Sequence, residues 1–269
     1  MTTQRIQGVI LDWAGTTIDY GCLAPVRAFT ALFADFGLDV NDGEARAPMG
    51  MFKRDHIAAM LAMPRLRDLW MSAHGTMPDD SDVERLYQVF IPRQTQVIAD
   101  YTDVIPGVIE AVAMFRKMNL KIGSCTGYTR AMMDAIIPIV REKGYTTDVT
   151  ITPDEVGAGR PAPFMCYMNA IRLGIYPLWT LVKIGDTVVD VHEGTNAGMW
   201  TIALAKTGNE LGLSESEIAA LPVDQVEVKL TAAREKLRDA GAHYVVDGLE
   251  NTPMILEQIN ARIAAGEMP

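Results

Sequence analysis

Six short apolar runs, GVILDW, LKIGSCTG, TDVTITPDE, LVKIGDT, MWTIALA and HYVVDG, each stop at a polar or glycine-rich turn. Stretches with helical periodicity separate most of them, among them Val108 to Lys117, Thr129 to Lys143 and Phe164 to Leu173. Strands that alternate with helices argue for a parallel sheet with helices on both faces. The expected fold class is therefore α/β, a doubly wound parallel sheet. In such sheets ligands bind beyond the C-terminal ends of the strands. The polar residues that follow each run are the first candidates for chemistry.

One segment breaks the alternation. Between about Cys22 and Asp103 no strand pattern appears. APVRAFTALFADFGLDV carries Val26, Phe29, Phe33 and Phe36 near helical spacing. GMFKRDHIAAMLAM and SDVERLYQVFIPRQTQVIADY also read as helical, the second disturbed at Pro92, which lacks a backbone donor. The expected division is a core of residues 1–21 and 104–269, with residues 22–103 as an inserted helical cap over the strand ends. Linkers are expected near Gly21 and over Asp103 to Pro106.

Acidic residues outnumber basic ones by 34 to 24, a formal net charge of −10. That balance argues against nucleic-acid or membrane-surface binding, both of which need a basic face. Cys22, Cys125 and Cys166 lie far apart, without disulfide or zinc spacing. The start of the chain does not read as a signal peptide, and no apolar run reaches membrane-spanning length. A reducing cytoplasm is the expected compartment.

Four places carry the chemistry. Asp12 follows the first run beside a Gly-Thr-Thr turn, where it can attack phosphorus, bind Mg²⁺ or merely cap a turn. Thr126 and Gly127, in GSCTGYTR, stand between a strand and a helix, a place that suits phosphate or a plain N-cap. Arg160, in AGRPAP, offers a planar fork of donors to an anion. Asp186 ends a strand and Asp190 follows one helical turn later. The pair can share a metal as ligand and outer partner, or interact with a helix dipole.

The ordered set Asp12, Thr126, Arg160, Asp186 resembles the haloacid dehalogenase superfamily of aspartate-nucleophile phosphotransferases. The helical insertion also falls where that superfamily places its cap. The core is then expected to be a Rossmann-like sheet of that type. One acid is missing. The common pattern has a second carboxylate two residues after the first, as general acid and base, and here that position is Ala14. Its backbone carbonyl could still face a metal, but it cannot protonate a leaving group. A carbon leaving group next to a carbonyl avoids the need: an amine converts the carbonyl to an iminium, which accepts the electrons as the C–P bond breaks. Lys53 offers that amine. On a helix it shares one face with Met49, His56 and Met60, and partial desolvation there would lower its pKa. A solvated surface lysine is the plainer alternative.

DWAGTTIDYG, PMGMFKRDH, TGYTRAMM, TPDEVGAGRPAP and GDTVVDVHEGTNAGMW together resemble the phosphonoacetaldehyde hydrolase family. The resemblance implies a small phosphonate substrate, a Lys53 Schiff base and attack by Asp12. It also implies Mg²⁺ between Asp12, the Ala14 carbonyl and Asp186, with Asp190 as outer partner. Thr126, Gly127 and Arg160 would hold the phosphonate oxygens, and His56 would assist proton transfer. Met49, Cys22 and Tyr128 would line the pocket. A homodimer joined through the caps is implied as well. The alternatives are a phosphatase or phosphomutase acting on a phosphate ester, and a non-catalytic metal-binding relative. The last sixty or so residues carry no usable motif.

Overall fold

The computed structural model describes residues 5–269, apart from the side chain of Gln96. The chain opens with strand β1 (Gly8–Leu11) and enters a helical insertion. This comprises α1 (Leu23–Asp35), α2 (Asp42–Arg46), α3 (Lys53–Ala62), α4 (Pro64–His74) and α5 (Asp80–Val97), followed by a short 3₁₀ turn. Alternation resumes with α6 (Val108–Lys117), β2 (Lys121–Cys125), α7 (Arg130–Glu142), β3 (Val149–Ile151) and α8 (Phe164–Leu173). It continues through β4 (Leu181–Gly185), α9 (Val188–Asn196), β5 (Trp200–Leu204), α10 (Glu215–Ala220) and α11 (Val223–Asp239). Strand β6 (Tyr244–Val246) and helix α12 (Thr252–Ala264) finish the fold.

Every expected run is a strand of one sheet, in the order β3-β2-β1-β4-β5-β6, and every pairing is parallel. The chain winds outward one way through β2 and β3. It then returns to β4 on the other side of β1 and winds outward again. The order therefore reverses between β1 and β4, and the crevice beyond their C-terminal ends is the natural ligand site. Val9, Ile10 and Leu11 are fully buried, as the two helical layers require of a central strand. Each such side chain contributes roughly 1.5–3 kcal/mol of hydrophobic free energy. Helix α7 shows how the layers are built. Met132, Met133, Ile136 and Val140 form its buried stripe, and the Thr129 hydroxyl caps its N-terminus by accepting from the Met132 N–H.

Among the described residues, everything regular between Leu23 and Tyr101 is helical. Its interior is aromatic, with Phe29 stacked on Phe90 at 4.4 Å between ring centroids. Two sequence expectations need correction. Helix α3 begins at Lys53 rather than upstream. Gly50 adopts a left-handed φ of 87°, and Phe52 is extended at the N-cap. Met49 thus lies in the turn before the helix and does not share its face with Lys53. Helix α5 also passes through Pro92 without ending. The lost N–H bond there is outweighed by the burial of Leu86 and Phe90 along the same helix.

The two connections to the insertion run side by side. Ile18 and Val104 form an antiparallel bridge, the Asp19 N–H donates to the Asp103 carbonyl, and the Ile105 N–H donates to the Thr17 carbonyl. Among the described residues no helix is long and apolar enough to cross a membrane.

Candidate active site

Strand register brings the two principal acids together. Leu11 of β1 pairs with Ile184 of β4, and the Asp12 N–H donates to the Ile184 carbonyl at 2.9 Å. Asp12 and Asp186 therefore leave neighbouring strand ends at the switch point. Carboxylate oxygens of Asp12, Asp186 and Asp190 lie within 4.8 Å of one another. Asp186 is further fixed by two donors, the Thr16 hydroxyl on Oδ1 (2.9 Å) and the Asn209 N–H on Oδ2 (2.8 Å). Burial pushes the carboxyls of Asp12 and Asp186 up from their ordinary values; the Asp190 charge raises both further, and the Asp12 charge raises Asp186.

A second layer lies beneath. Arg160 is buried, and its five N–H groups face five acceptors. Nη2 reaches Asp12 Oδ1 (2.6 Å) and Cys125 Sγ (3.3 Å), and Nε reaches Glu193 Oε2 (2.8 Å). Nη1 reaches Asp190 Oδ1 (3.1 Å) and the Gly50 carbonyl (3.4 Å). The expected open fork is thus fully engaged, and an incoming anion must displace a weak contact such as that to Gly50. Lys183, from the middle of β4, donates to Asp190 Oδ1 (2.6 Å) and lies 3.3 Å from Glu193. Asp190 also closes a capping box with Thr187 at the start of α9. The surrounding acids hold the Arg160 and Lys183 cations well above their ordinary pKa values, against the pull of burial. Asp12, Asp186, Asp190 and Glu193 set four carboxylates against the two cations Arg160 and Lys183. That surplus of hard oxygen ligands fits a divalent metal ion.

Lys53, at the first turn of α3, points into the same space. Its Nζ lies 4.9 Å from the centroid of the Tyr128 ring and 5.5 Å from that of Phe29. Burial lowers its pKa from an ordinary 10.5 to about 8, with Cys22 and Asp12 pulling the other way. The Thr126 hydroxyl accepts the Tyr128 N–H at 3.1 Å, so its own proton is free for an oxyanion. At Gly127 any Cβ would stand 2.6 Å from the Met51 carbonyl, so the insertion closes directly onto this loop. Burial pushes the Cys22 thiol and Tyr128 phenol up, so both stay protonated.

One small cavity collects most of the expected residues. Asp12, Ala14, Thr126, Gly127 and Arg160 line it from the sheet side, and Cys22, Met49, Lys53 and Tyr128 surround the amine. Asp186, Asp190 and His56 do not form its wall. The His56 ring stacks on Phe29 at 3.8 Å, and its Nε2 faces the Ala45 carbonyl at 2.9 Å. A carbonyl can only accept, so Nε2 carries the proton. Nδ1 is then a buried acceptor without a partner. Burial and the nearby Lys53 cation hold this imidazole well below its ordinary pKa. Sequence reading missed Lys183, Glu193, Thr16 and Asn209. A lysine inside the apolar run LVKIG and a glutamate one turn after Asp190 were the available signals.

The haloacid dehalogenase-like hydrolase family matches residues 6–198. A phosphonoacetaldehyde hydrolase of Nitratidesulfovibrio vulgaris is 46% identical over 264 residues, covering 98% of this chain and 94% of that protein. One from Bacillus cereus is 45% identical over 257 residues, covering 95% and 97%. Among solved structures, a phosphonoacetaldehyde hydrolase like protein from Oleispira antarctica is 38% identical. It superposes with a TM-score of 0.97, covering 99% of this chain and 97% of that one.

Proposed function

This chain belongs to the haloacid dehalogenase-like hydrolases and, within them, to the phosphonoacetaldehyde hydrolases, and we propose that it cleaves the C–P bond of phosphonoacetaldehyde through an imine on Lys53 and an acyl phosphate on Asp12. The carrying observation is the lysine: a buried amine with a pKa of about 8 shares one small cavity with a carboxylate nucleophile. At neutral pH roughly a tenth of such an amine is neutral, several hundred times more than for a free lysine.

Neutral Lys53 adds to the aldehyde, and with the uptake of one proton water leaves to give an iminium. Asp12 attacks phosphorus. The C–P electron pair moves into the iminium and leaves as an enamine, so nothing at position 14 has to donate a proton. This accounts for Ala14 where phosphatases carry an acid. The enamine is protonated on carbon, and hydrolysis of the imine frees Lys53 and acetaldehyde. Water cleaves the acyl phosphate and regenerates Asp12. The Thr126 hydroxyl, the Gly127 loop and Arg160 surround the phosphonate oxygens. Neutral His56, with Nδ1 unprotonated, can accept and return a proton near Lys53. A Mg²⁺ ion held by Asp12, the Ala14 carbonyl and Asp186 would neutralise charge on the phosphoryl oxygens, with Asp190 as outer partner. The small cavity suits a substrate of a few heavy atoms.

In this reading residues 22–103 act as the cap, residues 1–21 and 104–269 as the core, and the molecule is a homodimer joined through its caps. Borohydride added during turnover, followed by mass spectrometry and a phosphate assay, tests the chemistry. A two-carbon adduct on Lys53 with phosphate release is expected, and Lys53→Arg should lose both. Phosphate release by Lys53→Arg would exclude the imine.

A further inference from the structure

The segment Thr207-Gly208-Asn209, just after β5, touches Asp186, the loop after Asp12 and the connection to the cap, although none of it lies on the cavity wall. The Asn209 N–H holds Asp186 Oδ2 at 2.8 Å. Gly208 lies against the same carboxylate so closely that a Cβ would stand 2.2 Å from Asp186 Cβ. The Thr207 hydroxyl donates to the Gly15 carbonyl at 2.8 Å, in the loop that carries the nucleophile. The Thr207 carbonyl accepts the N–H of Gly21, in the first linker to the cap, also at 2.8 Å. Thr207 and Asn209 are both buried.

Among the described residues, the hydrogen bonds between helix α2 and this segment come from Arg46. Arg46 ends α2, and its Nη1 donates to Asn209 Oδ1 (3.2 Å) and to the Gly21 carbonyl (2.9 Å). Its Nη2 donates to the Gly212 carbonyl at 3.0 Å. In return Asn209 Nδ2 lies 3.3 Å from the Arg46 carbonyl, so the two residues clasp each other in both directions. Asn209 thus holds the cap with its side chain and Asp186 with its backbone.

We propose that Arg46 and Asn209 form a latch that couples docking of the cap to the position of the metal-binding carboxylate Asp186. With the cap undocked, Asn209 loses its side-chain anchors and its N–H no longer fixes Asp186 Oδ2. By reciprocity, a metal on Asp186 favours the docked cap. Arg46 and Asn209 are positioning residues that touch no substrate. The latch rests on the reading of Asp186 as a metal ligand.

Calorimetric titration with Mg²⁺ alone tests it on wild type, Arg46→Met, Asn209→Ala and the double variant. The Asn209 N–H survives in Asn209→Ala, so only the link to the cap is cut. Each single variant should weaken Mg²⁺ binding about 10-fold, in the range found for residues that orient a metal ligand. The double variant should be no weaker than the worse single, because both changes open the same latch. If Arg46→Met fails to fold, Arg46→Lys replaces it, keeping the charge but losing the fork. Unchanged Mg²⁺ affinity with a lowered melting temperature would make the contact purely structural and overturn the latch. Additive losses in the double variant would overturn it too. A wild-type chain that binds no Mg²⁺ would remove the metal assignment and the latch together.

Discussion

Replacing Lys53 with Met should stabilise the fold near neutral pH while abolishing imine formation. The buried Lys53 amine faces the Phe29 and Tyr128 rings, and Met fills nearly the same volume without the charge. The unfolded chain keeps this proton up to an ordinary 10.5, whereas the folded chain gives it up at about 8. Between those values the unfolded state binds more protons, so wild-type stability rises with pH. The charged amine costs the folded wild type about 3 kcal/mol near pH 7 and about 1.4 kcal/mol near pH 9.5. The advantage of Lys53→Met should therefore shrink by about 2 kcal/mol between those conditions. At neutral pH it should raise the melting temperature by roughly 5 °C for a chain of this size. Urea unfolding of both proteins at the two pH values reads the difference directly, and borohydride trapping checks the lost imine. A gap that stays constant or widens with pH would show that Lys53 titrates as an ordinary lysine. The argument for its nucleophilicity would then fail.

Asp12→Ala should stop phosphate release while borohydride still traps the aldehyde on Lys53; loss of trapping would show that the two roles are not separable. Gly127→Ala places a Cβ 2.6 Å from the Met51 carbonyl, backbone against backbone, and should hold the cap off the phosphate loop. A displacement of about 1 Å there should lower kcat/KM roughly 100-fold, and turnover within a few-fold of wild type would refute the closure. Asp19 caps α1 through the N–H groups of Leu23 and Ala24, yet burial holds its pKa up to about 6. Its folded pKa lies above the ordinary 3.8, so the stability it adds is full below about pH 4 and is lost as pH rises through 6. Asp19→Asn should shrink the fall in stability between about pH 4 and pH 7 by 2–3 kcal/mol, and an unchanged slope would sink that account.

Local pattern was enough for the scaffold. Each apolar run that stops at a polar turn is a strand, because strand length and the polar stop are written within a few residues. Helices α6 and α8 have the bounds that their periodicity marks. The same locality placed Asp12, Thr126 and Asp186 at strand ends, and Lys53 on the helix of a distinctive motif. It could not show what faces what. Met49 reads as part of the Lys53 face only if the helix starts early, and the left-handed turn at Gly50 delays it. Arg160 reads as a fork of donors for an anion, but the acids of α9, Asp12, Cys125 and the Gly50 carbonyl already engage its donors. Lys183 and Glu193 are ordinary letters in the sequence. They become part of the site because β4 and α9 pack side by side beneath Asp12. Thr207 and Asn209 lie in a region without a recognisable motif, yet they hold Asp186, the Gly15 loop and Arg46 of the helical insertion. Periodicity and spacing are properties of neighbours along the chain. The charge balance of a buried site is set by residues far apart in sequence, as between Asp12 and Arg160, 148 positions apart, and only the packed structure makes them neighbours.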